Sequence, residues 1–549
     1  MTAPVPPGPL AWLGPRLRGA VAVTGALVLA ACSSTASAAP PRLPADPSTL
    51  RLAMYADAST MDPDVYYDVE ATPIVHGLYD GLLAYAPDST RLVGGLATSW
   101  TVSQDRLTYT FELRHGVRFH DGASFTSADV VRSFARRTAL RQPSGYMLDA
   151  VRAVDTPRPD RVVVHLAHPV SPFLDYLAST WGPKLIGPAA LQAHAGTDHS
   201  LAWLDRHDDG TGPFTLTRAA KGREYVLTRA RSYWGAPAGF RQVQVRVIGD
   251  AQAQSQELRS GDLDAVLHGY PATDLRGLAN DPRFRLLQAK AFLRVTAYVN
   301  THRPALRDPA LRSALAQVLT PAHVMDAVRA DGAATPQGPG PVSSAGMPLP
   351  ATHLPVGAYP PGILAADSSA AHPVARSGDA SAPLRRLTEP LQVAYTADES
   401  GNLRLLAEAV ATCLRGGGVD AEVRETSLAT AYTYAKDPQA APDLLLNTNT
   451  PDAAHPDTWA RIVWDSSGGL NFLAYSDPGL DALLDRALLA SPTAASGFYR
   501  QAGQRVTDSR AFLDLADLDD LIVLRTDLVG AQHVPAYPWS LNLAALHRS

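Results

Sequence analysis

Residues 109–122, YTFELRHGVRFHDG, carry the clearest local pattern in the sequence. Beginning two residues earlier, apolar and polar side chains alternate, which places the apolar ones on one face of an extended chain. That face holds Leu107, Tyr109, Phe111 and Leu113. His115-Gly116 and Asp121-Gly122 are typical turn dipeptides. The stretch therefore predicts a half-buried strand that ends in a turn, with a second turn after it.

Outward from this stretch, the sequence predicts a mixed α/β protein. Thr126 and Asp129 have the spacing of a capping box and precede an apolar helical face. Asp308-Pro309, Thr320-Pro321 and Asp477-Pro478 predict three further helix starts. Further strands are predicted at 161–166, 225–229, 243–248 and 391–395. Residues 336–383, rich in Pro, Ala, Ser and Gly, predict a long irregular loop.

Length and composition exclude several classes of protein. The chain has 549 residues, a formal net charge of −5 and 46% hydrophobic residues. This length predicts two to four folded domains and excludes disorder of the whole chain. The acidic balance, without a long basic run, argues against a nucleic-acid partner. Cys32 and Cys413 are the two cysteines, so no internal disulfide framework is expected.

The N-terminus predicts export and a lipid anchor. Arg16 and Arg18 precede an apolar run of 13 residues, 19–31, which is too short to span a membrane. The run ends in Leu29-Ala30-Ala31-Cys32, which resembles a bacterial lipobox. We therefore expect a lipoprotein signal peptide over 1–31, lipidation of Cys32 and a flexible tether over 32–47. Cleavage near Ala36-Ser37-Ala38, which would release a free protein, is the alternative.

The sequence predicts no catalytic, cofactor or metal site. It contains no GxxxxGK[ST], GxSxG, HExxH or CxxC motif, and no GxGxxG between a strand and a helix. The histidines of 194–209 match no zinc spacing and predict a solvated loop beside a helix. Leucines interleave with the acidic run of 514–520, which predicts a solvated helix or strand edge. Cys413 is expected to be a buried small hydrophobic residue rather than a nucleophile.

A series of motifs in fixed order runs from residue 61 to residue 319. The series is Met61-Asp62-Pro63, Tyr79-Asp80-Gly81-Leu82-Leu83, Gly95-Leu96-Ala97-Thr98-Ser99-Trp100, residues 109–122, Ala128-Asp129-Val130, Gly210-Thr211-Gly212-Pro213-Phe214, Tyr233-Trp234-Gly235, Gly261-Asp262-Leu263-Asp264, Asn300-Thr301 and residues 308–319. In these motifs the chain resembles the dipeptide, oligopeptide and nickel family of extracytoplasmic solute-binding proteins, solute-binding protein family 5. Members of that family are the capture subunits of ABC importers.

The resemblance implies a two-lobed α/β fold of the type II periplasmic-binding-protein kind, with an extra subdomain inserted in lobe I. Lobe I would span 48–300 and 510–549, with the insertion at about 90–210, and lobe II would span 301–509. Crossings near Asn300 and Asp514 would form the hinge, and closure would trap the ligand. The implied protein is a monomer without enzymatic activity or cofactor that delivers peptides to an ABC permease and ATPase at the membrane.

The resemblance also implies a ligand site around residues 449–457. Peptide-binding relatives place an Asp against the ligand's α-ammonium in a motif resembling W-x-x-D-x-x-[DE]-P. Here Asp452 aligns with that Asp, while Asn449 replaces the Trp and His455 replaces the acid. Alternatively, Asp452 caps the turn before a helix at 457–464, or Asp457 takes either role.

Three other functions remain open at the level of the sequence. The same fold could bind a metal chelate, haem or a sugar. It could also serve as a peptide sensor without transport. A secreted lipoprotein enzyme is the third alternative.

Overall fold

The structure is a computed structural model, and it describes residues 46–267, 277–278, 280–333, 382–398 and 401–549. Several predictions concern residues outside these ranges. They are the signal peptide, Cys32, most of the tether and nearly all of the 336–383 loop.

Strands and helices alternate along most of the described chain. The strands are β1 Thr49–Met54, β2 Leu83–Tyr85, β3 Leu92–Gly94, β4 Ala97–Val102, β5 Thr108–Leu113, β6 Val151–Arg158, β7 Arg161–Leu166, β8 Phe214–Ala220, β9 Glu224–Arg229, β10 Gln242–Val247, β11 Ala265–Val266, β12 Phe284–Val299, β13 Leu391–Thr396, β14 Ala421–Thr426, β15 Leu444–Asn449, β16 Phe512–Arg525, β17 Leu528–Val529 and β18 His547–Arg548. The α-helices are α1 Thr72–Leu78, α2 Ser127–Leu140, α3 Phe173–Ala178, α4 Pro188–Ala193, α5 Leu201–Leu204, α6 Ala251–Ser260, α7 Pro309–Val318, α8 Pro321–Ala333, α9 Asn402–Gly416, α10 Leu428–Tyr434, α11 Pro456–Val463, α12 Pro478–Leu489 and α13 Pro492–Ser509. Short 3₁₀ helices lie at Pro143–Leu148, Ala305–Arg307 and Leu384–Arg386.

The strand predicted from the 109–122 stretch is β5, in which buried and half-buried side chains alternate. It pairs with β4 and β7 in a four-stranded antiparallel sheet of order β4-β5-β7-β6. The turns after β5 pack on another motif of the series, because the His120 amide donates to the Gly210 carbonyl at 2.9 Å. This hydrogen bond joins two segments that lie 90 residues apart in the sequence.

The predicted helix starts are correct, and at each of them a side chain accepts from a free backbone amide, including Thr320 from the His323 amide at 3.2 Å before α8. The Thr126 amide donates to Asp129 Oδ2 at 2.8 Å at the start of α2, as in a capping box. Asp308 accepts from the Ala310 amide at 2.9 Å before α7. Asp477 accepts from the Gly479 amide at 3.0 Å before α12.

A ten-stranded sheet joins the two halves of the protein. Its strand order is β14-β13-β15-β12-β16-β11-β1-β10-β9-β8. We call the part built on β1 and β8–β11, together with the four-stranded sheet, lobe I, and the part built on β13–β15 lobe II. The largest hydrophobic core lies in lobe I. Lobe II has two cores of its own, one on each face of its sheet.

The long strands β12 and β16 pair antiparallel through the middle of this sheet and run through both lobes. β15 pairs with the last six residues of β12, 294–299. β11 pairs with Val523 and Leu524, near the end of β16. The β12–β16 register shifts between Lys290 and Leu293, just before the residues of β12 that pair with β15, and again between Val295 and Thr296. The hinge near Asn300 and Asp514 stays a prediction, and β12 and β16 contain or adjoin both residues.

The prediction for the acidic run of 514–520 is wrong. These residues lie in β16, an interior strand, and Asp517 and Asp520 are buried. Buried carboxylates are stable only when they are paired or hydrogen-bonded. Asp517 pairs with Arg294 at 2.7 Å, and Asp520 accepts from the Trp539 amide at 2.7 Å.

The other polar segments singled out in the sequence have structural roles. His194 and His207 are exposed and stack on Trp203, with ring centroids 4.5 and 4.8 Å apart. Cys413, predicted to be a buried small hydrophobic residue, is half-buried and packs at the edge of a lobe II core. In the described ranges, no cluster of three or more His, Cys, Asp or Glu side chains is arranged to hold a metal.

Candidate functional site

The loop between β15 and α11 carries Asp452 and faces lobe I. β15 runs parallel to β13, and the loop leaves from its carboxyl end. In open α/β sheets this edge is where ligands bind, because loops and helix N-termini converge there. The position of Asp452 is thus compatible with a ligand site.

The Asp452 carboxylate is buried, with 2% of the residue exposed, and neutral hydroxyl groups of lobe I donate to it. The Tyr67 hydroxyl lies 2.8 Å from both carboxylate oxygens, and the Tyr146 hydroxyl lies 2.7 Å from Oδ2. Burial raises the pKa of Asp452 from 3.8 to about 6, although the two hydroxyls favour the charged form. The site is therefore a buried carboxylate with no charged donor among the described residues.

Backbone and side-chain contacts hold the rest of the loop against lobe I. The Ser179 hydroxyl donates to the Asp452 carbonyl. The Ala454 amide donates to the Tyr85 hydroxyl at 3.0 Å, and that hydroxyl donates to Asp175 at 2.9 Å. These contacts can form only when the lobes are close together, so the structure represents a closed arrangement.

His455 is the cap of α11. Its Nδ1 accepts from the Asp457 amide at 3.2 Å, and its Nε2 lies 3.2 Å from the Ser171 hydroxyl of lobe I. Burial lowers the pKa of His455 to about 4, and the charge of Asp457 offsets only part of that effect. The imidazole is therefore neutral at physiological pH, and its two nitrogens serve the helix cap and the lobe contact.

Asp452 and Asp457, the two acidic residues with alternative roles, have different partners in the structure. The Asp452 carboxylate accepts from the Tyr67 and Tyr146 hydroxyls, and the cap of α11 is His455. Asp457 is buried inside lobe II, where it pairs with Arg461 at 3.1 Å and accepts from the Tyr499 hydroxyl at 2.9 Å. Its carboxylate therefore already has a charged partner, Arg461, in contrast to Asp452.

Asn449 lies at the end of β15, within the sheet. Its Oδ1 accepts from the Tyr298 hydroxyl at 3.0 Å and from the Asn447 side chain at 2.7 Å. None of these partners contacts the Asp452 carboxylate. The structure thus brings Asp452 and His455 together on one loop and leaves Asn449 in a separate buried network.

A cavity of about 230 Å³ lies in lobe I beside Tyr85, and its lining does not include Asp452, Tyr67 or Tyr146. Lys184 and Tyr537 line it, and they donate to the carbonyls of Ser179 and Ala178. Ser179 in turn holds the Asp452 carbonyl. A residue of the cavity lining, Lys184, is therefore connected to the Asp452 loop through Ser179.

The comparison with known families decides what kind of protein this is. The model of "Bacterial extracellular solute-binding proteins, family 5 Middle" matches residues 91–471. The chain belongs to this family. As a family-5 extracellular solute-binding protein it is exported. The described residues include no helix that is both long and apolar enough to cross a membrane.

Relatives of similar length carry peptide-related names. Over 536 residues the chain is 26% identical to the "Probable D,D-dipeptide-binding periplasmic protein DdpA" of Escherichia coli K12, covering 95% of this chain and 98% of that protein. It is also 26% identical over 517 residues to the "Probable di/tripeptide-binding protein 5" of Pseudomonas aeruginosa, covering 90% and 94%. Both matches extend over nearly the full length of both proteins.

Solved structures confirm the predicted two-lobed α/β fold. A dipeptide-binding protein from a Pseudoalteromonas species in complex with Met-Leu matches with a TM-score of 0.70 and 18% identity, covering 91% of this chain and all of that one. NikA from Brucella suis in complex with Fe(III)-EDTA matches with a TM-score of 0.75 and 19% identity, covering 92% and 100%. At these identities the likeness shows the fold alone.

Proposed function

We propose that this family-5 protein captures short peptides with a free α-ammonium group between its lobes and delivers them to an ABC permease and ATPase. The observation that carries the proposal is the Asp452 carboxylate, which is buried at the lobe contact and has only neutral donors. A ligand ammonium would supply the missing positive charge and would form a charge-assisted hydrogen bond. The peptide-related names of the relatives support this class of ligand.

The mechanism is a shift between open and closed populations rather than covalent chemistry. We propose that residues 48–300 and 510–549 move as lobe I, with the insertion at about 90–210, against lobe II at 301–509. Opening breaks the contacts of Asp452 with Tyr67, Tyr146 and Ser179, and a peptide bound to both lobes favours closure again. The protein acts as a monomer and as a binding protein, not as an enzyme.

A ligand screen tests the proposal directly. A ligand present at 100 times its dissociation constant should stabilise the protein by roughly 2.7 kcal/mol if it binds only the folded state. We expect free-amino dipeptides and tripeptides to raise the melting temperature and N-acetylated peptides to have little effect. A shift with metal chelates or sugars alone would contradict the peptide proposal. Chemical change of a bound peptide, detected by mass spectrometry, would indicate an enzyme.

We also propose that lipid on Cys32 anchors the protein to the outer face of the cytoplasmic membrane. Acyl chains contribute about 0.8 kcal/mol per buried CH₂, and two chains suffice for stable anchoring. Cys32→Ser should therefore move the protein from the membrane fraction to the soluble fraction, as measured by immunoblotting. Cys413→Ser, which changes the second cysteine, should leave it in the membrane fraction. A wild-type protein that is already soluble and unlipidated would contradict the proposal.

A further inference from the structure

Two exposed aromatic rings stand near Asp452, one on each lobe. Within the described ranges, five large hydrophobic residues are strongly exposed, and two of them are Tyr67 at 42% and Tyr432 at 48%. The Tyr67 hydroxyl of lobe I donates to the Asp452 carboxylate at 2.8 Å. Tyr432 belongs to α10 of lobe II and interacts electrostatically with both Asp452 and Tyr67. Tyr67 thus contacts the buried carboxylate directly, and Tyr432 of the other lobe is close enough to interact with it electrostatically.

Each of these rings is held in place by a second aromatic ring of its own lobe. Tyr67 packs edge-to-face on Trp181, with ring centroids 5.0 Å apart and an interplanar angle of 61°. Tyr432 packs on Phe472 at 5.3 Å and 56°. Aromatic pairs of this geometry are favourable beyond the area that they bury. Each pair presents an exposed tyrosine backed by a buried ring, since Trp181 and Phe472 are 5% and 1% exposed. We call the pairs the two aromatic walls, Tyr67/Trp181 on lobe I and Tyr432/Phe472 on lobe II.

The position of the ammonium group determines what lies against these walls. In a peptide, the first side chain leaves the same Cα that carries the α-ammonium, so its Cβ lies about 2.5 Å from the ammonium nitrogen. If Asp452 binds the ammonium, this side chain must lie within a few ångströms of the carboxylate. The second side chain leaves the next Cα, about 3.8 Å further along the chain. The walls are thus best placed to contact the first side chain.

We propose that the aromatic walls of Tyr67/Trp181 and Tyr432/Phe472 select peptides whose first residue has an aromatic or large apolar side chain. The inference rests on the proposed peptide function and specifies its ligand class. A ring inserted between the walls buries its own apolar surface and that of two exposed tyrosines, and both contributions favour binding. An alanine as the first residue leaves both tyrosines partly exposed and therefore adds little to the free energy of binding.

Three dipeptides and two variants test the inference by isothermal titration calorimetry. For the wild-type protein we expect Phe-Ala to bind at least tenfold more tightly than Ala-Ala, with Ala-Phe closer to Ala-Ala. Tyr432→Ala should reduce the ratio of Phe-Ala to Ala-Ala affinity at least fivefold. Leu489→Ala is the matched control, because Leu489 is 47% exposed and has no place in the walls. It should leave all three affinities and the ratio unchanged.

The possible results separate this inference from the proposed function. Equal affinities for Phe-Ala and Ala-Ala, or a stronger preference for Ala-Phe, would overturn the aromatic selection while leaving peptide binding intact. An equal loss for all three peptides in Tyr432→Ala would also overturn it. Failure of every peptide to bind the wild type would overturn both. A melting curve without ligand verifies that Tyr432→Ala folds, as expected for an exposed side chain.

Discussion

Asp452→Asn is expected to weaken the binding of a free-amino dipeptide by more than tenfold. In the closed protein the carboxylate is 2% exposed, so an ammonium bound to it is also removed from water. Replacing the carboxylate by a neutral amide leaves that ammonium without a charged partner, which costs ~2–5 kcal/mol. An exposed ion pair contributes only about 0–1 kcal/mol. Calorimetric titration of the wild type and the variant with the same dipeptide measures the difference.

Two controls separate a ligand-binding role of Asp452 from a structural one. N-acetylated dipeptides should bind the wild type poorly and should lose little further affinity in the variant. The free energy of unfolding without ligand should change by less than about 2 kcal/mol, because the amide oxygen still accepts from a tyrosine and a buried charge is removed. A variant that is strongly destabilised without ligand but retains its peptide affinity would show that Asp452 is structural.

The pH dependence gives a second measurement of the same role. Burial raises the pKa of Asp452 from 3.8 to about 6, so between these values the folded protein holds a proton that the unfolded chain has released. The carboxylate therefore lowers stability as pH rises from about 4 to about 6, and Asp452→Asn should remove this decline. Peptide binding needs the charged form, so affinity should fall as pH drops below about 6 in the wild type only. Identical pH profiles in the two proteins would contradict this assignment.

The sequence predicted those parts of the fold that depend on residues close to one another in the sequence. The strand expected at 161–166 is β7, because its alternating pattern is contained within six residues. The caps at Asp308 and Asp477 lie within three residues of the amides that they satisfy. The two-lobed arrangement, by contrast, was predicted from the resemblance to the solute-binding family. No local sequence pattern predicts that β12 and β16 run through both lobes.

The polar environment of the candidate site could not be predicted from one sequence. Tyr67 and Tyr146 are 385 and 306 residues from Asp452 along the chain, and nothing near either tyrosine distinguishes it from other tyrosines. The same limit explains the wrong prediction for 514–520. A run of carboxylates suggests a solvated surface unless the cation that pairs with it is known, and Arg294 is 223 residues away from Asp517.

Arg294→Met is expected to be the most destabilising substitution in the strands that connect the lobes. Arg294 lies in β12, just after the register shift, and its side chain is fully buried. Its Nε and Nη2 donate to the two oxygens of Asp517 at 2.7 and 3.0 Å, and its Nη1 lies 3.3 Å from Asp514. Removing one partner of a buried pair leaves a charge in a low-dielectric interior, which costs about 3–5 kcal/mol. Urea unfolding without ligand measures this loss.

The same two strands provide a matched control for Arg294→Met. Lys290 also lies on β12 and pairs with Asp519 of β16 at 3.2 Å, but its side chain is 63% exposed. Water screens this pair, so Lys290→Met should change the free energy of unfolding by no more than about 1 kcal/mol. Equal losses for the two variants would show that burial does not set the strength of the Arg294 pair. The double variant Arg294→Met/Asp517→Leu has lost the same arginine packing as Arg294→Met. If it is nevertheless more stable than Arg294→Met, the loss in the single variant comes from the Asp517 carboxylate, which has lost Arg294.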